Sequence, residues 1–456
     1  MSTRPKGKFI PSTFIPSFLS QFTQYILGKS HHPVMLFASL SSAIAIFDFL
    51  IYISMADILA TNFFPETSTI LTPELQLLVL FAVGYFARPI GGIILGQYAD
   101  TKGRKPALFI SIFLTSISTL LMACLPTYAQ IGILSPILLF ISRIIQGIGF
   151  SVHAPLVWVF VAEHSPIRRL PLNCSYVTAS FLVGILFSIL FFTAFIGSMS
   201  QLHLIEYGWR IAFVFAALLN FITLLLWYAM DETPIFKKIQ PLLHTTTPRP
   251  CLPIKRIFTH RLNSVFLCVM LTLVISSLFV VIVLTLPDII TLRFSLDTDL
   301  LRISHWIGIF FMVLGCLFYG LLANQGSQGR VLMIGCAILI LQIFAFFYQL
   351  EYGGDFILIM YALLGFCTGV IGMIPAIMLR LFPADLRLTG LSFAYNTVYA
   401  VVGGILPFAL VYAINYVSFS PALYVTFICL VGVIIGFYIA RLPDFRKIDA
   451  TSIGND

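Results

Sequence analysis

Twelve apolar stretches, each about as long as a bilayer crossing, follow one another along this chain of 456 residues. A helix that crosses the hydrocarbon needs roughly 20 such residues. The stretches fall at 34–59, 75–95, 107–125, 136–161, 171–196 and 209–230, then at 262–286, 306–322, 331–347, 356–379, 390–414 and 422–440. They are numbered here as spans one to twelve. Lipid offers no hydrogen-bond partners, so each span must satisfy its own backbone, as a helix does. The ten-residue alternation of a membrane barrel is absent from the sequence. Spans eight and nine look short. Composition agrees: 59% of residues are hydrophobic and only 10% are charged, where a soluble domain carries about 25%. The expected fold class is all-α, a polytopic membrane protein of twelve helices in two halves of six.

Residues 231–261 form the one long polar stretch between spans. The expected organisation is a tail (1–33), a first half (34–230), a linker (231–261), a second half (262–440) and a second tail (441–456). No short apolar stretch followed by a small-residue cleavage site marks the start as a leader. Of the 26 Lys and Arg residues, 21 fall in segments on the linker's side of the bilayer. Arg88, Arg143 and Arg210 sit within spans, and Arg293 and Arg302 lie opposite. Basic loops stay cytoplasmic, so both termini are expected inside.

Other classes find no support. The net charge of +8 is scattered one to three residues at a time, so nucleic acid is not an expected partner. The eight cysteines lie mostly in spans and show neither CxxC nor metal-ligand spacing. His31-His32 is a weak metal pair in a tail, and no metal is expected. There is no GxSxG, P-loop, HExxH or nucleotide fingerprint. The chain is therefore not expected to be an enzyme or to carry a cofactor, and an ion gradient is the expected energy source.

The loop between spans two and three reads Gly96-Gln97-Tyr98-Ala99-Asp100-Thr101-Lys102-Gly103-Arg104-Lys105. It is a tight turn with an acid at a helix end and a basic cluster suited to an anionic leaflet. This GxxxDxxGRK pattern resembles the signature loop of the major facilitator superfamily. The loop between spans eight and nine keeps only its Gly329-Arg330 end. Further pieces resemble one branch, the metabolite:proton symporter family, whose members carry proline, betaine, citrate, 2-oxoglutarate, shikimate and similar compounds. They are Asp48-Phe49 with Tyr52, Phe86-Ala87-Arg88-Pro89-Ile90-Gly91-Gly92, Arg143-Ile144-Ile145-Gln146-Gly147, Ala162-Glu163-His164-Ser165-Pro166, Gly208-Trp209-Arg210, Asp231-Glu232-Thr233-Pro234, and the run from Leu381 to Asn396. The chain departs from the family at Ala45, His153 and Arg380, where family members usually carry acids.

The resemblance implies alternating access about a central site, with protons as coupling ion, in the bacterial inner membrane, as a monomer. The substrate would be a small polar metabolite, and two membrane arginines point to one bearing a carboxylate, anionic or zwitterionic. An ionised side chain inside the bilayer needs a partner or a watery cavity. Asp48 and His153 are the candidates for the coupling proton, with Asp48 equally readable as a fixed partner of Arg88 or Arg143. His153 is also readable as a neutral core residue. Arg88, Arg143, Gln146, Tyr52, Tyr395 and Asn396 are the candidate substrate contacts. At 100° per residue, Arg143, Gln146, Phe150 and His153 share one face of span four, which reads as a cavity face. Gly96, Asp100, Gly103, Arg104, Lys105, Glu163, Arg168 and Arg169 are candidates for holding or releasing the two halves, with Glu163 expected to pair with Arg168 and Arg169. The numerous Phe side chains read as lipid-facing or packing surface. Two alternatives remain. A proton-coupled exporter is disfavoured because span five lacks an internal proline, and a non-transporting sensor because no soluble domain is appended.

Overall fold

The computed structural model describes residues 32–64, 73–245, 252–294, 297–353 and 356–442. Most of both tails, including His31, and the middle of the linker lie outside the described residues.

All twelve spans are helical. The first half comprises His32–Ser54 continued by Ala56–Phe63, Pro73–Lys102, Arg104–Cys124, Leu134–Phe150 with His153–His164, Leu170–Ser198 and Trp209–Tyr228. The second comprises Leu262–Phe279 continued to Arg293, Thr298–Gln325, Gln328–Glu351, Ile357–Thr368 continued to Leu379, Arg387–Ala413 and Ser420–Arg441. Eleven of these helices are long and apolar enough to cross a membrane by length and composition. Span two, Pro73–Lys102, completes the twelve. Its last 15 residues carry Arg88, Asp100 and Lys102.

Two expectations are corrected and one region gains detail. Spans eight and nine are full length, at 28 and 24 residues, because polar turns extend them past the apolar stretch. Asp297 starts span eight by accepting the Asp299 N–H at 3.3 Å. The linker is also partly helical, with Pro234–Thr245 and Pro253–His260. The second of these helices buries Ile257 and pairs Arg256 with Asp385 at 2.8 Å. Finally, span four is broken at Ser151-Val152. Pro155 has no N–H, which leaves the Ser151 carbonyl without its helical donor. Asn396 of span eleven donates to that carbonyl at 2.8 Å, so the gap is closed by the other half.

The halves meet along two seams, spans two against eleven and five against eight. Glycine sets both. A Cβ on Gly92 would meet Asn396, one on Gly96 would meet Thr389, and one on Gly320 would meet Ser175. Within the second half, Gly365 and Gly369 lie one turn apart and pack on the Gly308 and Gly315 backbones of span eight. Without a hydrophobic drive between helices in lipid, such close approach is what binds them.

A side chain at position 365 would run into the Gly308 carbonyl, whereas Gly197 has nothing within 4 Å. Gly365→Val is therefore expected to lower the melting temperature in detergent by several degrees. Gly197→Ala should leave it unchanged; equal melting of the two variants would refute the packing account.

Candidate functional site

At the linker side, the end of span two meets the start of span eleven. The first N–H groups of a helix lack intrahelical acceptors, and the residue before span eleven, Leu386, has no side chain able to cap them. Asp100 does so from the opposite half. Its carboxylate accepts the Leu388 N–H at 3.2 Å, the Thr389 N–H at 2.7 Å and the Thr389 hydroxyl at 2.7 Å. A carboxylate also suits the positive end of the helix dipole.

Arg104 sits fully buried beside it. It reaches Asp100 at 3.5 Å and Glu163 at 3.3 Å, and donates to the Ala384 carbonyl of the second half at 2.5 Å. Glu163 also receives Arg387 at 3.3 Å and the Thr233 hydroxyl at 2.6 Å. Gly103 turns the chain at φ +128°, and a Cβ there would strike Glu232. The Lys105 ammonium donates to the Tyr228 carbonyl at 2.9 Å. Gly96 sits in the seam against Thr389. The pairing expected for Glu163 is corrected: Arg168 and Arg169 are exposed, while Glu163 points inward to Arg104 and Arg387. Proximity in sequence lost to a buried acid's need for buried cations.

Between the halves, midway along the spans, lies a cavity walled by spans one, two, four and five on one side and seven, ten and eleven on the other. It holds about 60 Å³, where one water takes roughly 10–15 Å³, so its occupant is compact. Among the residues lining it, Arg88 is the one charged group. Its guanidinium lies 4.5 Å from the Phe150 ring centre, 4.8 Å from Tyr85, 5.0 Å from Phe49 and 5.5 Å from Tyr399. Arg88 is 3% exposed, and its Nε has no hydrogen-bond partner. No carboxylate among the described residues pairs with it. Trp158, Phe181, Phe279 and Tyr395 extend the aromatic wall. Aromatic residues thus form much of the lining, with Phe49, Phe150, Phe181 and Phe279 among them.

Behind that wall a second polar cluster joins spans one, three and four. Asp48 accepts the Thr119 hydroxyl at 2.6 Å and the Gln146 amide at 3.2 Å, with Asn220 of span six beside it. The Gln146 carbonyl in turn accepts from Arg143. Arg143 lies 4.1 Å over the Tyr52 ring and 5.4 Å from that of Phe49. Asp48 therefore meets Arg143 through Gln146, and the Phe49 ring stands beside both guanidiniums.

Arg88 and Tyr395 line the cavity, whereas Arg143, Gln146 and Tyr52 belong to the Asp48 cluster and Asn396 to the Ser151 carbonyl. His153 shares a 3.2 Å hydrogen bond with Ser41 and stands between Phe150 and Phe181. The single cavity face expected of span four is corrected, since only Phe150 of the four residues lines the cavity, while the others bond within the first half. Thr119, Asn220 and Ser41 were not singled out by the sequence, being lone polar residues in apolar runs. Among the described residues no group of three or more His, Cys, Asp or Glu could hold a metal.

A family model described as "Major Facilitator Superfamily" matches residues 35–407. An inner membrane metabolite transport protein of Escherichia coli, YhjE, is 27% identical over 392 residues, which is 84% of this chain and 88% of the relative. A proline/betaine transporter of Salmonella typhimurium is 29% identical over 447 residues, 92% of this chain and 85% of the relative. Among solved structures, the proton:xylose symporter XylE bound to 6-bromo-6-deoxy-D-glucose superposes with a TM-score of 0.74 at 17% identity, covering 90% of this chain and 95% of that one.

Asp100→Ala should uncap span eleven and speed deuterium exchange at the Leu388 and Thr389 amides roughly tenfold or more, with buried controls in span eight unchanged. Unaltered exchange at those two amides would remove Asp100 as the cap.

Proposed function

The chain belongs to the major facilitator superfamily, and on that premise we propose that it is a secondary active transporter that imports a small carboxylate-bearing metabolite together with protons. It works as a monomer in a bacterial inner membrane, with both termini in the cytoplasm. The observation that carries this reading is Arg88, a buried guanidinium with no acidic partner among the described residues, facing a cavity between two halves.

A cation held in low dielectric favours an anion as its occupant. A substrate carboxylate at Arg88 is that anion. The linker side, which the basic residues assign to the cytoplasm, is closed by Asp100, Arg104, Glu163 and Arg387. Entry is then from the outer side. Rocking of one half on the other breaks these bonds and exposes the same cavity to the cytoplasm. Asp48 carries the coupling proton. When ionised it accepts from Thr119 and Gln146, and Gln146 holds Arg143 in place. Protonation weakens that chain of bonds and loosens spans one and four, which also wall the cavity. His153, bonded to Ser41 and stacked beside the cavity wall, is the second candidate for this proton.

Uptake into proteoliposomes of labelled amino acids, betaines and di- and tricarboxylates, with and without an imposed pH gradient, tests the proposal. A transported member is expected to accumulate only with the gradient. Asp48→Asn should abolish accumulation while retaining gradient-free exchange. Should that variant still concentrate substrate with proton movement, Asp48 is not the coupling group. Wild-type uptake indifferent to the gradient would end the symport reading.

A further inference from the structure

The charge balance of the cavity bears on which carboxylates fit. A zwitterion brings a cation as well as a carboxylate, and a built zwitterion site would offer an acid to receive that cation. No Asp or Glu is among the described residues that line this cavity. Aromatic faces can also receive an ammonium group. Here the rings of Phe49, Tyr85, Phe150 and Tyr399 already have the Arg88 guanidinium at 4.5–5.5 Å. An ammonium placed beside the carboxylate would sit close to Arg88 and be repelled by it, and the apolar walls would strip water from both of its charges.

The remaining wall is mostly hydrocarbon. Ile46, Ala154, Leu182, Ile275 and Ile371 line it together with Phe181 and Phe279, beside Thr178, whose hydroxyl is turned to the Cys174 carbonyl at 3.0 Å, and Tyr395. The Trp158 indole N–H has no hydrogen-bond partner, so it is a further donor rather than an acceptor. A dicarboxylate would leave its second charge without a cation, since the lining holds one guanidinium.

Resting on the transport reading above, we propose that the substrate class is the compact monoanion, with one carboxylate on an apolar body and no cationic group. Arg88 is its counter-charge, and the apolar residues of spans five, seven and ten hold its body. This separates the chain from the relatives whose names specify proline and betaine.

Three molecules of nearly one shape test this. Tert-butylacetate, glycine betaine and tert-butylacetamide are respectively an anion, a zwitterion and a neutral amide. The purified full-length chain is titrated with each by calorimetry in detergent, at a pH where the carboxylates are ionised. Tert-butylacetate is expected to bind at least about tenfold more tightly than either of the others. Arg88→Gln should bring it down to the level of the amide, with the melting temperature of the unliganded protein as the folding control. Equal or tighter binding of glycine betaine overturns the proposal, as does equal binding of the amide or binding of none of the three. The wild-type comparison decides even if the Arg88 variant does not fold. Exchange in proteoliposomes, corrected for protein-free vesicles, separates the two readings. Exchange of glycine betaine that depends on Arg88 leaves transport standing and removes the monoanion. Binding of tert-butylacetate with no exchange of it leaves the ligand class standing and removes transport.

Discussion

A charge carried into hydrocarbon costs several kcal/mol unless another group answers it, and the polar interior of this protein is arranged around three such answers. Asp48 is met by hydroxyl and amide groups, with Arg143 one hydrogen bond further on. Asp100, Arg104, Glu163 and Arg387 neutralise one another where the halves meet. Arg88 is surrounded by ring faces and has no acid among the described residues. In the first two clusters the acids have cations of this chain near them. The third has a cation with no acid among the described residues, and that asymmetry is why the cavity reads as a substrate site.

The linker-side cluster also shows how backbone chemistry joins the halves. Span eleven starts without a capping side chain of its own and takes Asp100 from span two. Span four has a carbonyl freed by Pro155 and gives it to Asn396 of span eleven. In each case a local defect in one helix is repaired by the other half. Separating the halves therefore unsatisfies backbone groups as well as side chains, and the closed state is favoured by bonds that neither half can make alone.

Much of this was legible in the sequence. Twelve apolar runs, one polar interruption and the placement of Lys and Arg were enough for twelve helices in two halves. The loop around Asp100 and the membrane arginines also declared themselves, because charges are rare in such a chain. What the sequence hid depended on three-dimensional direction. The face shared by Arg143 and His153 assumed an unbroken helix, and span four is not one. Glu163 was matched with its neighbours Arg168 and Arg169, whereas burial turned it to Arg104 and Arg387. Thr119 and Asn220 carry no pattern at all, since a lone polar residue in an apolar span becomes informative only once Asp48 is seen beside it. Aromatic residues were too numerous to distinguish the few that wall the cavity from the many that meet lipid.

Phe49 follows Asp48 directly, and its ring lies within about 5.5 Å of the guanidinium carbons of both Arg88 and Arg143. One polarisable ring thus stands beside both cations, much as a thin dielectric stands beside the plates of a capacitor. Little screening intervenes across such a gap. Charge placed on the cavity side is registered on the Asp48 side as a change in local potential, before any helix has moved. Under the proposed transport cycle, proton and substrate would influence each other through the field alone, with the tilting of the halves following as a slower consequence.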